Sequence, residues 1–341
     1  MMRWMKIELR GKVSFLSRPE SYPEHPTAVE VVQTHMSCVF LTDSHAYKLK
    51  KPVRYDYLDF STLAARRADC EEELRLNRRL ARDVYLGIVP LTVAPGGGVR
   101  LGGDGEVVEW LLMMRRLPRR SMLDQAIRDG RVARDDVRRF AQVLADFYRR
   151  ADPVAMDAAR YRRRFEDGIR ANQRALSAPE YGMPRELLQA VTAGQLAALA
   201  RQAASLERRV AERRIVEGHG DLRPEHVCLG PEPLFIDCLE FNREWRLVDP
   251  ADELAYLGME CEYAGAAWIG EAAFETYRQA TGDGPPDALV RFYKSCRAGV
   301  RAKLSAWHLA DHPDPADQGK WTARALRYLE LANLYILAPA A

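Results

Sequence analysis

Long apolar runs are missing from this 341-residue chain. No stretch approaches the roughly 20 apolar residues that span a bilayer, and the opening MMRWMKIELRGK has neither the apolar core nor the cleavage site of a signal peptide. No membrane association is therefore expected, and a cytoplasmic setting follows. Cysteine is sparse, with six residues at 38, 70, 228, 238, 261 and 296 and no CxxC spacing. That pattern argues against a zinc ribbon or a disulfide framework and for buried reduced thiols. A dominant charge sign is missing too. The formal net charge is +3, the basic residues are dispersed among acidic ones, and RNP-like or zinc-finger patterns do not occur, so no nucleic-acid partner is expected.

What remains is 47% hydrophobic and 29% charged, enough for one bilobal domain or two modest ones with real cores. Lysine is the scarce cation, eight residues against 43 arginines, yet Lys48, Lys50 and Lys51 all fall within HAYKLKKP. Either a compact ammonium is wanted there, or the lysines guard an exposed strand edge.

The periodicity sorts the chain into two parts. AVEVVQ (28–33), SCVFLT (37–42) and HAYKLK (45–50) alternate like an antiparallel meander. A helix is expected over 62–82 with Ser61 as its cap, and then two strands, GIVPLTVAP and VVEWLLMM, joined by the glycine-rich hairpin connection PGGGVRLGGDGE. That connection lacks the terminal Lys-Ser/Thr of a Walker loop. From about 119 the pattern is helical, interrupted by short strands around 215–237. The chain therefore divides into a β-rich part with one helix, 1–114, and a helical part, 115–341.

Two motifs carry the chemistry. GHGDLRPEH (218–226) puts His219, Asp221 and His226 on a turn between strand-like runs, and PLFIDCLEF ends an apolar strand on Asp237. An aspartate closing an apolar run calls for a cation nearby, or else serves as a cap or a solvent-facing turn. Lys294, Arg297 and Arg301 share one helix face, either as a clamp for a polar acceptor or as a solvated surface.

With those motifs in order, the sequence resembles the aminoglycoside phosphotransferase-like branch of the protein-kinase-like fold. Within it the resemblance is to a bacterial group in which YKLKKPV…LDFSTL…R…C…EEELRLNRRLA…VYLGIVPL recurs, and it runs from about residue 28 to about 305. The resemblance implies an α+β, bilobal fold: a small antiparallel β lobe with one helix, and a larger, mainly helical lobe. It implies ATP as phosphoryl donor, Mg2+ as metal with Mn2+ as the alternative, and a small-molecule hydroxyl as acceptor; nothing in it specifies an oligomeric state. His219-Gly220-Asp221 matches the catalytic loop, with Asp221 as catalytic aspartate and His219 as a brace for the loop. Asp237 and His226 match the metal positions. Lys48 matches the phosphate-binding strand lysine, with Lys50 as the alternative, and Glu73 its helix partner, with Glu72 as the alternative. Met113 and Met114 fall where the backbone would meet adenine, or else simply fill the core. Asp252 matches a helix aspartate that steadies the loop, or else favours the helix dipole.

The chain departs from the family pattern twice. The turn QTHMSC has no glycine, so phosphate would rely on backbone amides near His35 to Ser37, and His226 stands where the family places asparagine. Three function classes follow: an ATP-dependent phosphotransferase, a nucleotide-binding pseudokinase that senses or scaffolds, and a metal-dependent hydrolase using His219, Asp221, His226 and Asp237.

Overall fold

The computed structural model describes residues 7–55, 57–311 and 315–337. They fall into two compact units, Met1–Met122 with Leu234–Glu244, and Leu123–Pro233 with Trp245–Ala341. The first unit holds α1 (Leu9–Leu16), β1 (Glu30–Gln33), β2 (Ser37–Leu41), β3 (His45–Lys50), β4 (Arg54–Tyr55), β5 (Leu58–Asp59), α2 (Leu63–Asn77), β6 (Tyr85–Val93), β7 (Val99–Leu101) and β8 (Glu106–Arg115). Six of the strands form one antiparallel sheet in the order β1-β2-β3-β8-β6-β7, and β4 and β5 make a separate small hairpin.

Alternation along β3 divides its side chains between the two sheet faces. Tyr47 and Leu49 join Phe40, Leu91 and Leu111 under Leu16 of α1 and Tyr22. The opposite phase, Ala46, Lys48 and Lys50, belongs to the α2 face. Because β3 lies between β2 and β8, it is not an edge strand, and the edge-guarding account of its lysines falls away.

Several boundaries differ from expectation. The helix begins one residue later than its expected cap: Thr62, not Ser61, accepts from the Ala65 N–H at 3.1 Å, and the helix ends at Asn77. The glycine-rich connection contains its own strand, β7, paired with β6. The helix α1 was not foreseen; it lies outside the segment in which strand alternation is legible. Around Leu86 the β6–β8 register slips, pairing Tyr85 with Met114 and Gly87 with Met113. This bulge turns Leu86 outward, 42% exposed, and leaves Tyr85 buried and aimed at the functional region.

The second unit is helical, as its 3.6-residue periodicity requires: α3 (Leu123–Arg128), α4 (Arg134–Arg150), α5 (Ala158–Leu176), α6 (Arg185–Arg201) and α7 (Ala203–Ala211) precede β9 (Val216–Glu217) and β10 (Val227–Cys228). After β11 (Leu234–Phe235), which belongs to the first unit, and the short α8 (Arg243–Arg246) come β12 (Leu247–Val248), α9 (Pro250–Tyr263), α10 (Ala267–Thr281), α11 (Asp287–Asp311) and α12 (Pro315–Leu337). The central helix is α9, buried without a break from Pro250 to Cys261. Asp249 caps its N-terminus on Ala251 N–H, and Pro250 at the first turn forfeits no helical hydrogen bond. All six cysteines carry free thiols, five of them buried. Among the described residues no helix is long and apolar enough to cross a membrane.

Candidate active site

In the first unit the structure brings Lys48, Lys50, Glu73 and Asp237 together. Lys48 Nζ donates to Glu73 Oε1 at 2.7 Å and to Asp237 Oδ1 at 2.8 Å. Lys50 Nζ lies 2.5 Å from Glu73 Oε2 and 2.6 Å from Asp69 Oδ2, and also pairs with Glu240. Glu73 is fully buried, whereas Glu72 is taken by Arg75 on the outer face of the helix. Burial opposes both ammoniums, but the surrounding carboxylates outweigh it and hold both lysine pKa values well above normal. Burial pushes the Asp69 and Glu73 carboxyls up, against the pull of the lysines.

Asp237 is held by its backbone. Its N–H donates to Tyr85 Oη at 2.9 Å, and the next N–H, of Cys238, donates to Asn77 Oδ1 at 2.9 Å. Asn77 in turn donates to the Glu73 carbonyl, so α2 fixes both the glutamate and the aspartate segment. With φ of 60°, Asp237 sits in the left-handed region, a conformation that aspartate tolerates better than bulkier residues and that the surrounding hydrogen bonds hold in place. Its side chain remains 44% exposed.

The other nucleotide-site expectations meet different surroundings. Met113 and Met114 lie inside a strand paired on both sides, with Tyr47 and Ala46 of β3 and with Gly87 and Tyr85 of β6, so their backbone groups belong to the ladder. Ladder pairing stops only after Arg115. Ser37 N–H donates to Thr34 Oγ1 at 3.0 Å, and Met36 N–H reaches the same hydroxyl at 3.3 Å. The turn thus closes on Thr34, which takes the place of the absent glycines, and these amides point inward.

In the second unit His219, Asp221 and His226 lie on one turn. Gly220 has φ of 86°, which favours glycine, and a Cβ on Gly218 would collide with the Glu253 carboxylate and Val248. Asp221 is clamped by Arg223, which sequence reasoning passed over although it stands two residues away. Arg223 Nε donates to Oδ1 at 2.9 Å and Nη2 to Oδ2 at 2.8 Å, while Tyr256 Oη donates to Oδ1 at 3.1 Å. Burial would raise the Asp221 carboxyl, but Arg223, His226 and Arg301 outweigh it and hold it well below the usual carboxylate range. His226 places Nδ1 2.8 Å from the Asp221 carbonyl and Nε2 3.2 Å from Arg223 Nη2. Since guanidinium only donates, Nε2 is the acceptor and Nδ1 the donor, and both ring nitrogens face protein. His219 is fully buried; its Nδ1 accepts from the Asp221 N–H at 3.3 Å.

The loop rests on Glu253, not on Asp252. Glu253 accepts from His219 N–H and Tyr148 Oη at 3.0 and 2.9 Å, and also from Gly220 N–H. Asp252 instead pairs bidentately with Arg297 at 2.8 and 2.6 Å. The expected face of Lys294, Arg297 and Arg301 is neither an acceptor clamp nor a solvated surface. Each cation pairs with a carboxylate of α9, namely Glu262, Asp252 and Glu260. Replacing Glu253 by Ala strands buried backbone donors, and the expected cost is about 3 kcal/mol or more. Thermal unfolding checks this; Asp252→Asn should disturb turnover far less, and the reverse order would return the bracing role to Asp252.

Among the described residues the only group of three or more His, Cys, Asp or Glu donors with the spacing of a metal-holding set is Asp69, Glu73 and Glu240, already filled by Lys50. Among the described residues, His219, Asp221 and His226 do not make such a set.

Known proteins resemble the chain in sequence and in fold. Uncharacterized proteins of Mycobacterium tuberculosis and Mycobacterium bovis are 30% identical over 318 residues, covering 90% of this chain and 60% of theirs. The chain therefore spans less than two thirds of the relatives it matches. A choline/ethanolamine kinase family protein from Mesorhizobium loti superposes with a TM-score of 0.51 at 15% identity, covering 95% of this chain and 98% of that one. At that identity the likeness speaks for the fold, which is protein-kinase-like. Residues 41–295 match the model of the phosphotransferase enzyme family, a span that takes in the β3 lysines, α2, the Asp221 turn and the Asp237 segment. A match over this span, well over half of the chain, means that the chain belongs to the phosphotransferase enzyme family.

Proposed function

We propose that the chain transfers the γ-phosphoryl group of ATP to a hydroxyl group of a small molecule. The observation that carries this reading is Lys48, whose ammonium joins a buried helix glutamate to a half-exposed aspartate, Glu73 to Asp237. Such a lysine is fixed in direction before any phosphate arrives, so little rotamer entropy remains to be lost on binding. The surrounding charges fit a divalent cation at Asp237: four carboxylates (Asp69, Glu73, Asp237, Glu240) face two ammoniums, and the exposed member is Asp237. A bound Mg2+ or Mn2+ would neutralise phosphate charge there.

Asp221 supplies the acceptor side of the chemistry. Its depressed pKa keeps it ionised, and a carboxylate held this low is a weak base. That suits orienting a hydroxyl through a loose transition state, in which the acceptor proton leaves late. The test is a metabolite-extract screen with labelled ATP, comparing wild type with Asp221→Asn. A labelled product formed by wild type alone names the acceptor. Nucleotide binding with no product from any extract points instead to a nucleotide-sensing role.

His226 serves the loop in this reading, since both its ring nitrogens face protein. His226→Asn is therefore expected to leave the ratio of Mn2+- to Mg2+-supported activity unchanged while lowering both. Titrating the two metals against both proteins checks this; a shift of the ratio towards Mg2+ in the variant would assign His226 to the metal.

A further inference from the structure

Lys50 is 1% exposed, and it is one of only eight lysines in a chain with 43 arginines. Its ammonium meets Asp69 Oδ2, Glu73 Oε2 and Glu240 Oε1, and the Phe60 ring lies 5.6 Å away. Those three carboxylates offer oxygens within 4.8 Å of one another, the spacing of a metal-holding set. Asp69 Oδ2 and Glu73 Oε2 are buried and have no hydrogen-bond partner among the described residues apart from this ion pairing.

We propose that Lys50 is a tethered cation standing where a divalent ion would otherwise be required, and that it positions Glu73 for Lys48 by locking α2 to the segment carrying Asp237. The chemistry explains the residue type. Three convergent acceptors suit the three N–H donors of an ammonium, whereas a planar guanidinium fork matches one carboxylate edge at a time. Glu73 is divided between the two lysines, Oε1 to Lys48 and Oε2 to Lys50, so its carboxylate plane is set from both sides. Glu240 lies three residues beyond Asp237, which ties the exposed aspartate to the same cluster. Lys50 is thus a positioning residue and not a phosphate contact.

The test uses the full chain without nucleotide or turnover, so its outcome is independent of the phosphotransferase reading. Lys50→Ala removes the ammonium shared by Asp69, Glu73 and Glu240, two of them buried, and the variant is expected to bind one Mn2+ more than wild type, counted by electron paramagnetic resonance. Lys50→Ala/Glu240→Gln should lose that extra ion. Chelation should lower the thermal midpoint of Lys50→Ala, and Mn2+ should restore it. Absence of the additional ion overturns the proposal whatever the midpoint does. Should Lys50→Ala be recovered only unfolded, refolding with and without Mn2+ decides: recovery with the metal is expected, and equal failure in both overturns the proposal.

Discussion

Asp221→Asn is expected to lower kcat by about a hundredfold or more while leaving nucleotide affinity nearly unchanged. Asparagine keeps the size of the side chain and one oxygen for Arg223 and Tyr256, but it cannot accept a proton from an acceptor hydroxyl. The pH profile then separates the aspartate from its clamp. Arg223 lowers the Asp221 pKa, so Arg223→Met should let it rise and move the acid limb of the rate profile to higher pH. The stability linkage has the same sign. A depressed carboxylate contributes stability that is present above its unfolded value, about 3.9, and is lost as pH falls through the folded value; Arg223→Met should forfeit that contribution. Steady-state kinetics and acid unfolding of the two variants check both statements. An acid limb that stays in place without Arg223 would falsify Asp221 as the ionised group that turnover requires.

Arg223 also shows what the sequence made legible and what it did not. The periods of two and 3.6 located the sheet and the helices, because burial on one face imposes them directly on the order of apolar residues. The glycines of GHGDLRPEH and the apolar approach to Asp237 were equally visible, since backbone conformation constrains residue type. Hidden were the side-chain partners. Whether Asp252 or Glu253 braces the loop depends on the rotation of α9, and a helix buried from Pro250 to Cys261 has no polar stripe from which to read that rotation. The face of Lys294, Arg297 and Arg301 looked solvated for a related reason: its counter-charges lie on another helix, at spacings no single periodicity reports. Glu240 was overlooked because its partner, Lys50, is 190 residues away in the chain.

Lys48→Ala is expected to weaken nucleotide affinity at least tenfold, and the charge balance of the first unit gives the reason. Removing this ammonium leaves Glu73 and Asp237 without the cation between them, in a set where carboxylates already outnumber lysines. Glu73, fully buried and already pushed up by burial, would then tend to take a proton, and Asp237 would lose its ion pair with Lys48. Lys51→Ala is the control, because Lys51 is exposed at its tip and donates to the Thr34 carbonyl outside the cluster. Lys50→Ala cannot serve as one, given its three carboxylate partners. Asp237→Asn provides the complementary measurement. Asparagine tolerates the left-handed backbone at φ of 60°, so the segment should keep its shape while the exposed negative charge disappears. Nucleotide binding should then lose its dependence on Mg2+, measured by calorimetry with and without the metal. If Asp237→Asn instead spared metal-dependent binding and lowered only kcat, while Asp221→Asn abolished binding, the roles of the two aspartates would have to be exchanged.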